Sequence, residues 1–503
     1  VIALLVGLAS CKNPTVVKYE PYESPGRVEP DDPAYSDQWH YRQINMPGAW
    51  GILHDSELSG AFGEVVVAVL DTAYDTDHED LNANTFWYEG TDAAKGYDFY
   101  NDDPDPTTIN DDSNFHGSHV AGTIAADTND GTGVSGIGWD RLTVLPVQVF
   151  NDDGEYEFNS LDVVVEAIYY AAGEPNDSGT LPDKAVKALS LSLGSRSAGS
   201  AMYDAIDAAR ENGITVMAAA GNDVEDVTYP AAFDNTIAIG ATNEGRQHAS
   251  YSATGPEVDF SAPGGETTGV LSTIPASPYY GYSAGTSMAT PHVSGVVGLL
   301  YSYAPNLTQD AVYAILQNTA EDLGEPGHDE QYGHGLIDAQ AALEYLINAG
   351  RDFPVQPRSS NTSTSGGTSS GGSSVSDASV QHLAAEGSGV TRGRRPSKRS
   401  GAILPEAGAD YRSDSIIIKL TEEAAGGTAP GPDGGSPRTG SSGAEVARTL
   451  AAERGAAQPQ ALGGRLYRFD LGSGDEVRRA IEALGQKADV EYAQPNYRYE
   501  LID

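Results

Sequence analysis

Val65-Val66-Val67-Ala68-Val69-Leu70 is an unbroken apolar run of strand length, and it ends in a carboxylate, Asp71. A strand apolar on every residue must be covered on both faces, the condition of a parallel sheet enclosed by helices. The same pattern recurs outward from it. Strands are expected at Glu64 to Leu70, Thr143 to Gln148, Ala185 to Leu191, Ile214 to Ala219 and Thr236 to Gly240. Helical patterns fall at Ser160 to Ala171, Ala201 to Glu211, after Ser287, at Thr308 to Asn318 and at Asp338 to Ile347. This alternation predicts an α/β fold with a mostly parallel central sheet, with folded structure beginning near Trp39. Functional groups in such sheets collect at the C-terminal ends of strands, where Asp71 stands.

The chain has 503 residues, enough for a large core plus a smaller domain. Its net charge of -43 is unevenly spread: residues 1–350 hold 53 acidic and 11 basic side chains, residues 351–503 hold 19 and 18. Binding nucleic acid requires neutralising phosphates, so no nucleic acid partner is expected. Salt would relieve the self-repulsion of so acidic a surface, which points to a saline setting. Cys11 is the single cysteine, so the chain forms no internal disulfide and no thiolate metal cluster. The apolar residues before it read as the later half of a secretory signal, too short to span a bilayer. Leu8-Ala9-Ser10-Cys11 resembles the lipobox of bacterial lipoproteins, which implies lipidation of Cys11 and membrane attachment. Ordinary export and a buried strand are the alternatives.

By composition, residues 1–11 form a partial signal peptide, 12–37 an acidic tether, 38–350 the main domain and 351–410 a Ser/Gly-rich and basic linker. The linker carries Arg392, Arg394, Arg395, Lys398 and Arg399, a patch that is solvated, cleaved by another protease, or set against the acidic domain. Residues 411–503 make a second fold. Strands at Ser415 to Leu420, Arg465 to Leu471 and Asp489 to Ala493 alternate with helices at Ala444 to Glu453 and Asp475 to Leu484. That order suggests a small α+β sandwich of the split βαβ, ferredoxin-like type, with Gly426 to Ser442 an inserted loop.

Chemistry concentrates in four places. Gly285-Thr286-Ser287-Met288-Ala289-Thr290-Pro291 puts a hydroxyl at the entry to a helix, with small residues before it that let a substrate backbone approach. A hydroxyl needs a base to act as a nucleophile, and such a run by itself also suits plain N-capping. His116-Gly117-Ser118-His119 supplies the base: His116 faces a cleft and His119 packs as support. A metal pair of these two histidines is disfavoured because no acidic residue falls at zinc-protease spacing. Asp71 can fix the tautomer of a histidine. Asn222, in Ala218-Ala219-Ala220-Gly221-Asn222, can donate to an oxyanion together with the Ser287 backbone N–H.

These segments, in the order Asp, His, Ser, resemble the three signatures of subtilisin-like serine proteases, the subtilases, over residues 38–348. The resemblance implies a subtilisin-like three-layer fold and peptide hydrolysis, with Asp71 orienting, His116 as base, Ser287 as nucleophile and Asn222 in the oxyanion hole. Ser118 and Ala73 depart from the usual Thr and Gly. Ser192, Leu193 and Gly194 resemble the segment whose backbone pairs with an extended substrate, implying broad specificity for proteins and peptides. Asp80, with Asn129 and Asp130, resembles a calcium-supported loop, and Asn101 to Asp105 and Asp111-Asp112 add hard oxygen ligands. Asp clusters in a chain this acidic also arise by chance. A monomer, extracellular or anchored in the cell envelope, outer membrane included, is expected. A catalytically silent scaffold or surface-structural lipoprotein is the rival reading.

Asp489-Val490-Glu491-Tyr492-Ala493-Gln494-Pro495-Asn496-Tyr497 resembles the last strand and exit tail of a subtilase propeptide. In the family that domain precedes the protease, aids its folding and blocks its cleft. A linker of some 50 residues spans about 40 Å as a coil, enough to bring the domain back onto its own active site. The stretch Tyr497 to Asp503 is then expected in the substrate groove as a product, with no bond left to hydrolyse; a clamp acting on other copies, a substrate-recruiting module and an unrelated small domain are the rival readings.

Overall fold

The computed structural model describes residues 22, 24–85, 96–107, 115–151, 159–223, 226–275, 279–349, 401–403, 409, 411–421, 424–425, 443–454, 456–462, 465–471 and 474–502. Cys11 and its leader, residues 12–21 of the expected tether, Asp111, Asp112, the five basic linker residues and the 426–442 loop lie outside these.

Helices α1 (Trp39–Gln43) and α2 (Met46–Leu53) lead into β1 (Val65–Asp71). Next come β2 (Tyr97–Asp98), α3 (His116–Ala125), β3 (Leu142–Gln148), β4 (Asn159–Ser160) and α4 (Leu161–Ala171). They are followed by β5 (Val186–Leu191), β6 (Leu193–Gly194), α5 (Ser200–Glu211), β7 (Thr215–Ala219), β8 (Ile237–Thr242) and β9 (Phe260–Pro263). A hairpin of β10 (Val270–Thr273) and β11 (Tyr280–Ser283) precedes α6 (Thr286–Tyr303), α7 (Gln309–Thr319) and α8 (Ala339–Ala349). The five expected strands and the expected helices are present, with ends shifted by one or two residues.

Among the described residues, seven strands form a parallel sheet in the order β2-β3-β1-β5-β7-β8-β9. The period of two in a strand explains why β1 is apolar throughout: Val65, Val67 and Val69 enter one core with α3 and α6, while Val66, Ala68 and Leu70 enter the other with α4 and α5. The chain runs from β1 to β3 on one side and returns to β5 on the other. A crevice therefore opens at the C-terminal ends of β1 and β5, the usual place for a site in such a sheet.

The second fold comprises β12 (Gly401–Ala402), β13 (Tyr411–Leu420), α9 (Gly443–Glu453), β14 (Gln460–Ala461), β15 (Leu466–Asp470), α10 (Gly474–Leu484) and β16 (Val490–Leu501). Alternation in β13 divides its faces. Ile416 and Ile418 pack with α9 and α10, while Ile417 joins the core built by α4 and α5. The small sheet thus lies on those two helices.

Two expectations need correction. The stretch 24–37, expected as a tether, is pinned to the main domain at two points: Tyr35 is buried with its ring 5.9 Å from that of Trp50, and Asp32 is buried against the 129–131 loop. An acidic composition concealed one aromatic anchor and one satisfied carboxylate. The last strand, expected to end at Ala493, runs to Leu501, because beyond Tyr497 it finds new partners in β4 and β6 of the main domain.

Candidate active site

Asp71 is the last residue of β1 and is buried; its Oδ1 accepts from the Thr72 backbone N–H at 2.8 Å and lies 2.6 Å from His116 Nδ1. His116 opens α3, and Thr72 Oγ1 accepts from Gly117 N at 2.9 Å, which pins the start of that helix to the end of β1. With Nδ1 committed to the carboxylate, Nε2 is the ring atom able to take a proton. Ser118 keeps the hydroxyl that the signature calls for, accepting from Asp75 N at 3.0 Å. His119 turns away, Nε2 to the Val270 carbonyl at 2.9 Å, and burial holds its pKa down at about 4. The two histidines do not converge on one point.

Ser287 lies one residue inside α6, after Gly285 as N-cap, so it does not serve as the cap. Pro291 has no N–H to give the carbonyl four residues back. The Ser287 carbonyl accepts from Ser192 Oγ instead, at 3.0 Å, and Ser287 Oγ lies 3.4 Å from the Ser192 carbonyl. The start of α6 is therefore tied to the residue after β5, beside β1 and Asp71. Asn222 follows β7; its Oδ1 accepts from Thr286 N at 2.9 Å and Thr286 Oγ1 at 2.8 Å, which aims Nδ2 into the cleft. A Cβ at Gly285 would sit 3.0 Å from that Nδ2, so the glycine keeps the space open.

The cleft is occupied by the chain itself. Arg498 and Tyr499 pair with Ser160 and Asn159, and Glu500 and Leu501 with Gly194 and Leu193, all antiparallel. Ile502 N donates to the Ser192 carbonyl at 3.2 Å. The Ile502 carbonyl oxygen accepts from Asn222 Nδ2 at 3.2 Å and from Ser287 Oγ. Upstream, Asn496 Oδ1 accepts from Asp162 N at 3.2 Å and Gln494 Oε1 from Ser200 N at 2.9 Å. Those amides begin α4 and α5, neither of which has a side-chain cap of its own. Arg468 pairs with the buried Asp162 carboxylate, and Lys419 with Asp204 at 2.6 Å. Asp162, Asp204 and Thr228, which flanks Ile502 beside Gly194, were not singled out from sequence. An acidic residue in the first turn of α4 was the one readable sign.

Asp80 is buried with Oδ2 accepting from Val134 N at 2.8 Å, while Oδ1 has no partner among the described residues. Burial pushes its pKa up to about 7, and the charges of Asp130 and Asp32 add to this. An unsatisfied, crowded carboxylate oxygen fits a hard cation. The other oxygens are engaged locally: Asn129 Oδ1 by Asp31 N at 3.2 Å and Asp130 Oδ1 by Thr132 N at 2.7 Å. Asp32 satisfies the loop amides of 129–131. Asp102, Asp103 and Asp105 likewise accept from neighbouring hydroxyl or backbone groups. No group of three His, Cys, Asp or Glu suited to a metal gathers among the described residues.

The subtilase family model matches residues 63–335. The chain belongs to the subtilase family. It is 34% identical over 315 residues to the halolysin-like extracellular serine protease Nep of Natrialba magadii, covering 62% of this chain and 52% of that one. It is 36% identical over 360 residues to an extracellular protease of Xanthomonas campestris, covering 64% and 58%. The match therefore spans less than two thirds of either relative. Thermitase of Thermoactinomyces vulgaris is matched over 99% of its length at 34% identity, covering 63% of this chain. Among solved structures, a protease from Pseudoalteromonas arctica aligns at 33% identity with a TM-score of 0.54, covering 63% of this subtilase and 99% of that protein. Among the described residues, no helix is long and apolar enough to cross a membrane.

Proposed function

We propose that this subtilase is an extracellular serine endopeptidase held in check by its own residues 411–503. Ser287 attacks the substrate carbonyl, His116 takes the hydroxyl proton and passes it to the leaving amine, Asp71 holds the imidazole, and Asn222 stabilises the oxyanion. The observation that carries the reading is the Ile502 carbonyl oxygen, hydrogen bonded to both Asn222 Nδ2 and Ser287 Oγ, the place of a substrate carbonyl under attack. The backbone of residues 192–194 takes the substrate as an added strand.

Labelling by a fluorophosphonate tests both halves. The wild-type chain should label slowly, a chain with Arg468→Ala and Asn496→Ala at least tenfold faster, and Ser287→Ala not at all. A silent scaffold would leave all three unlabelled; equal rates for the first two would refute self-inhibition.

Calcium belongs to the same reading. Asp80, with the 129–134 loop, would hold the ion, which supplies charge neutralisation at a crowded carboxylate. Chelation should lower the melting temperature of the wild-type chain and leave that of Asp80→Asn unmoved. Cys11 would anchor the protein to the outer membrane through lipid, and Cys11→Ser should then move it from the membrane to the soluble fraction.

A further inference from the structure

Asp162 and Glu166 stand one turn apart on α4, so both face the second domain. Asp162 meets it directly, through Asn496 Nδ2 at 2.8 Å and through Arg468. Glu166 is only 4% exposed: its Oε2 accepts from the backbone N–H of Asp177, in the loop after the helix, at 2.6 Å, and its Oε1 has no partner among the described residues. The Asp177 side chain is in turn hydrogen bonded by Gln460 of β14. Glu166 thus lies between two residues that touch the second domain, and that domain closes over it.

The charges around Glu166 leave it no cation. Facing it are Asp162 and Tyr169 on α4, Asp177 beyond α4 and Arg468 on β15. Arg468 is engaged by Asp162 and by Asp470, the latter at 3.1 Å. Two more cations that the second domain sets over α4 and α5 are taken likewise: Arg465, facing Tyr169, pairs with Glu491 at 3.1 Å, and Lys419 pairs with Asp204 at 2.6 Å. Glu174 and Asp102 stand further out, beside Tyr169 and Asp177, and add only negative charge. Shutting in a carboxylate among carboxylates, with one oxygen unbonded, costs far more than shutting in the neutral acid.

We infer that docking of residues 411–503 takes up a proton at Glu166, so that acid holds the peptidase shut and a rise in pH releases it. The inference rests on the self-inhibition proposed above and adds what controls it. With the second domain away, Arg468 and Gln460 are gone and Glu166 lies on an open helix face, where a carboxyl keeps its ordinary value near 4.5. When the domain is docked, burial pushes Glu166 up to about 8, aided by the charges of Asp177 and Asp162 and opposed by the Asp177 N–H and by Arg468. The docked state therefore binds one proton more than the free state between those values. Docking weakens by up to about tenfold for each pH unit in that window and changes no further below or above it. Burial raises Asp177 as well, in the same sense. The titrating group belongs to the docking face and has no part in the triad.

Because His116 exchanges protons in the reaction itself, raw activity against pH is no test; the ratio of fluorophosphonate labelling rates of the full chain, Glu166→Gln over wild type, cancels the triad. The glutamine cannot ionise, so this ratio should fall at least about tenfold between about pH 5.5 and about pH 7.5. A ratio flat across that range would overturn the inference. A full chain carrying only Ser287→Ala gives a second measure, free of catalysis and of any change at Glu166. Exchange of its β16 amides, corrected for the intrinsic effect of pH, should quicken over the same range, and unchanged protection would overturn the inference. If the Arg468→Ala, Asn496→Ala chain labels no faster than wild type at any pH, self-inhibition itself falls, and this inference with it.

Discussion

Asn222 holds the Ile502 carbonyl, and Thr228 lies with the Ile502 side chain around the space beside Gly194. Asn222→Ala removes a donor that matters most once charge has developed on the carbonyl oxygen. A loss of about 3 kcal/mol is expected, mainly in kcat, the size known for the equivalent donor in a subtilisin. A KM rise with unchanged kcat would contradict this. Thr228→Gly should deepen the pocket and move preference from β-branched aliphatic residues toward aromatic ones before the cut bond, by about 1–3 kcal/mol in relative kcat/KM. Cleavage profiling checks it, and an unchanged profile would remove Thr228 from the pocket wall. Asp71, His116, Ser287 and Asn222 were legible in sequence because each sits at the end of a strongly patterned element. Thr72 Oγ1 and Ser192 Oγ were not, since a hydroxyl finds its partner only when distant segments meet.

Among the elements, β16 links the two domains; that the residues from Tyr497 onward lie in the groove was expected from sequence, but not that one continuous strand carries them there. Gln494-Pro495-Asn496 has no strand alternation, and Pro495 offers no ladder N–H. The pairing with β13 becomes irregular beyond Pro495 as the strand moves toward β4 and β6. The strands of the main sheet were readable to within a residue or two because burial on both faces leaves no other pattern. Short strands such as β2 and β6 carry two residues each, too few for any period. Arg468→Ala should loosen docking by removing the partner of buried Asp162, a cost of about 3 kcal/mol when one half of such a pair is left behind. On the reading proposed above, peptidase activity of the full chain should rise accordingly; activity equal to that of wild type would count against self-inhibition.

Across the whole molecule, stability should depend on pH in two opposed ways. Burial drives His40, His119 and His292 down, His119 to about 4 and His292 to about 3. His292 Nδ1 donates to the Met288 carbonyl at 2.8 Å, so its Nε2 accepts from His40 Nδ1, also at 2.8 Å; His292 is therefore neutral, and burial disfavours the charged form of His40. The unfolded chain takes up these protons near 6.5 and the folded one does not. Stability therefore falls as pH drops below that value, by about 1.4 kcal/mol per pH unit for each histidine. Glu166 acts oppositely: burial raises it from 4.5 to about 8, so the folded state keeps a proton the unfolded state has lost, and stability falls as pH rises across that range. Thermal melts of Glu166→Gln should show a gain over wild type that grows from pH 5 to pH 7.5; a constant offset would refute the assignment.

Two helices of the peptidase start with amides satisfied from outside, by Asn496 and Gln494. If residues 411–503 act as the inhibitor proposed above, lifting them away takes from each start a contact worth about 1 kcal/mol, and the uninhibited peptidase would be the looser form. Amide exchange at the first turns of α4 and α5 should quicken in step with activity, making rigidity at those turns a direct gauge of how much enzyme is switched off.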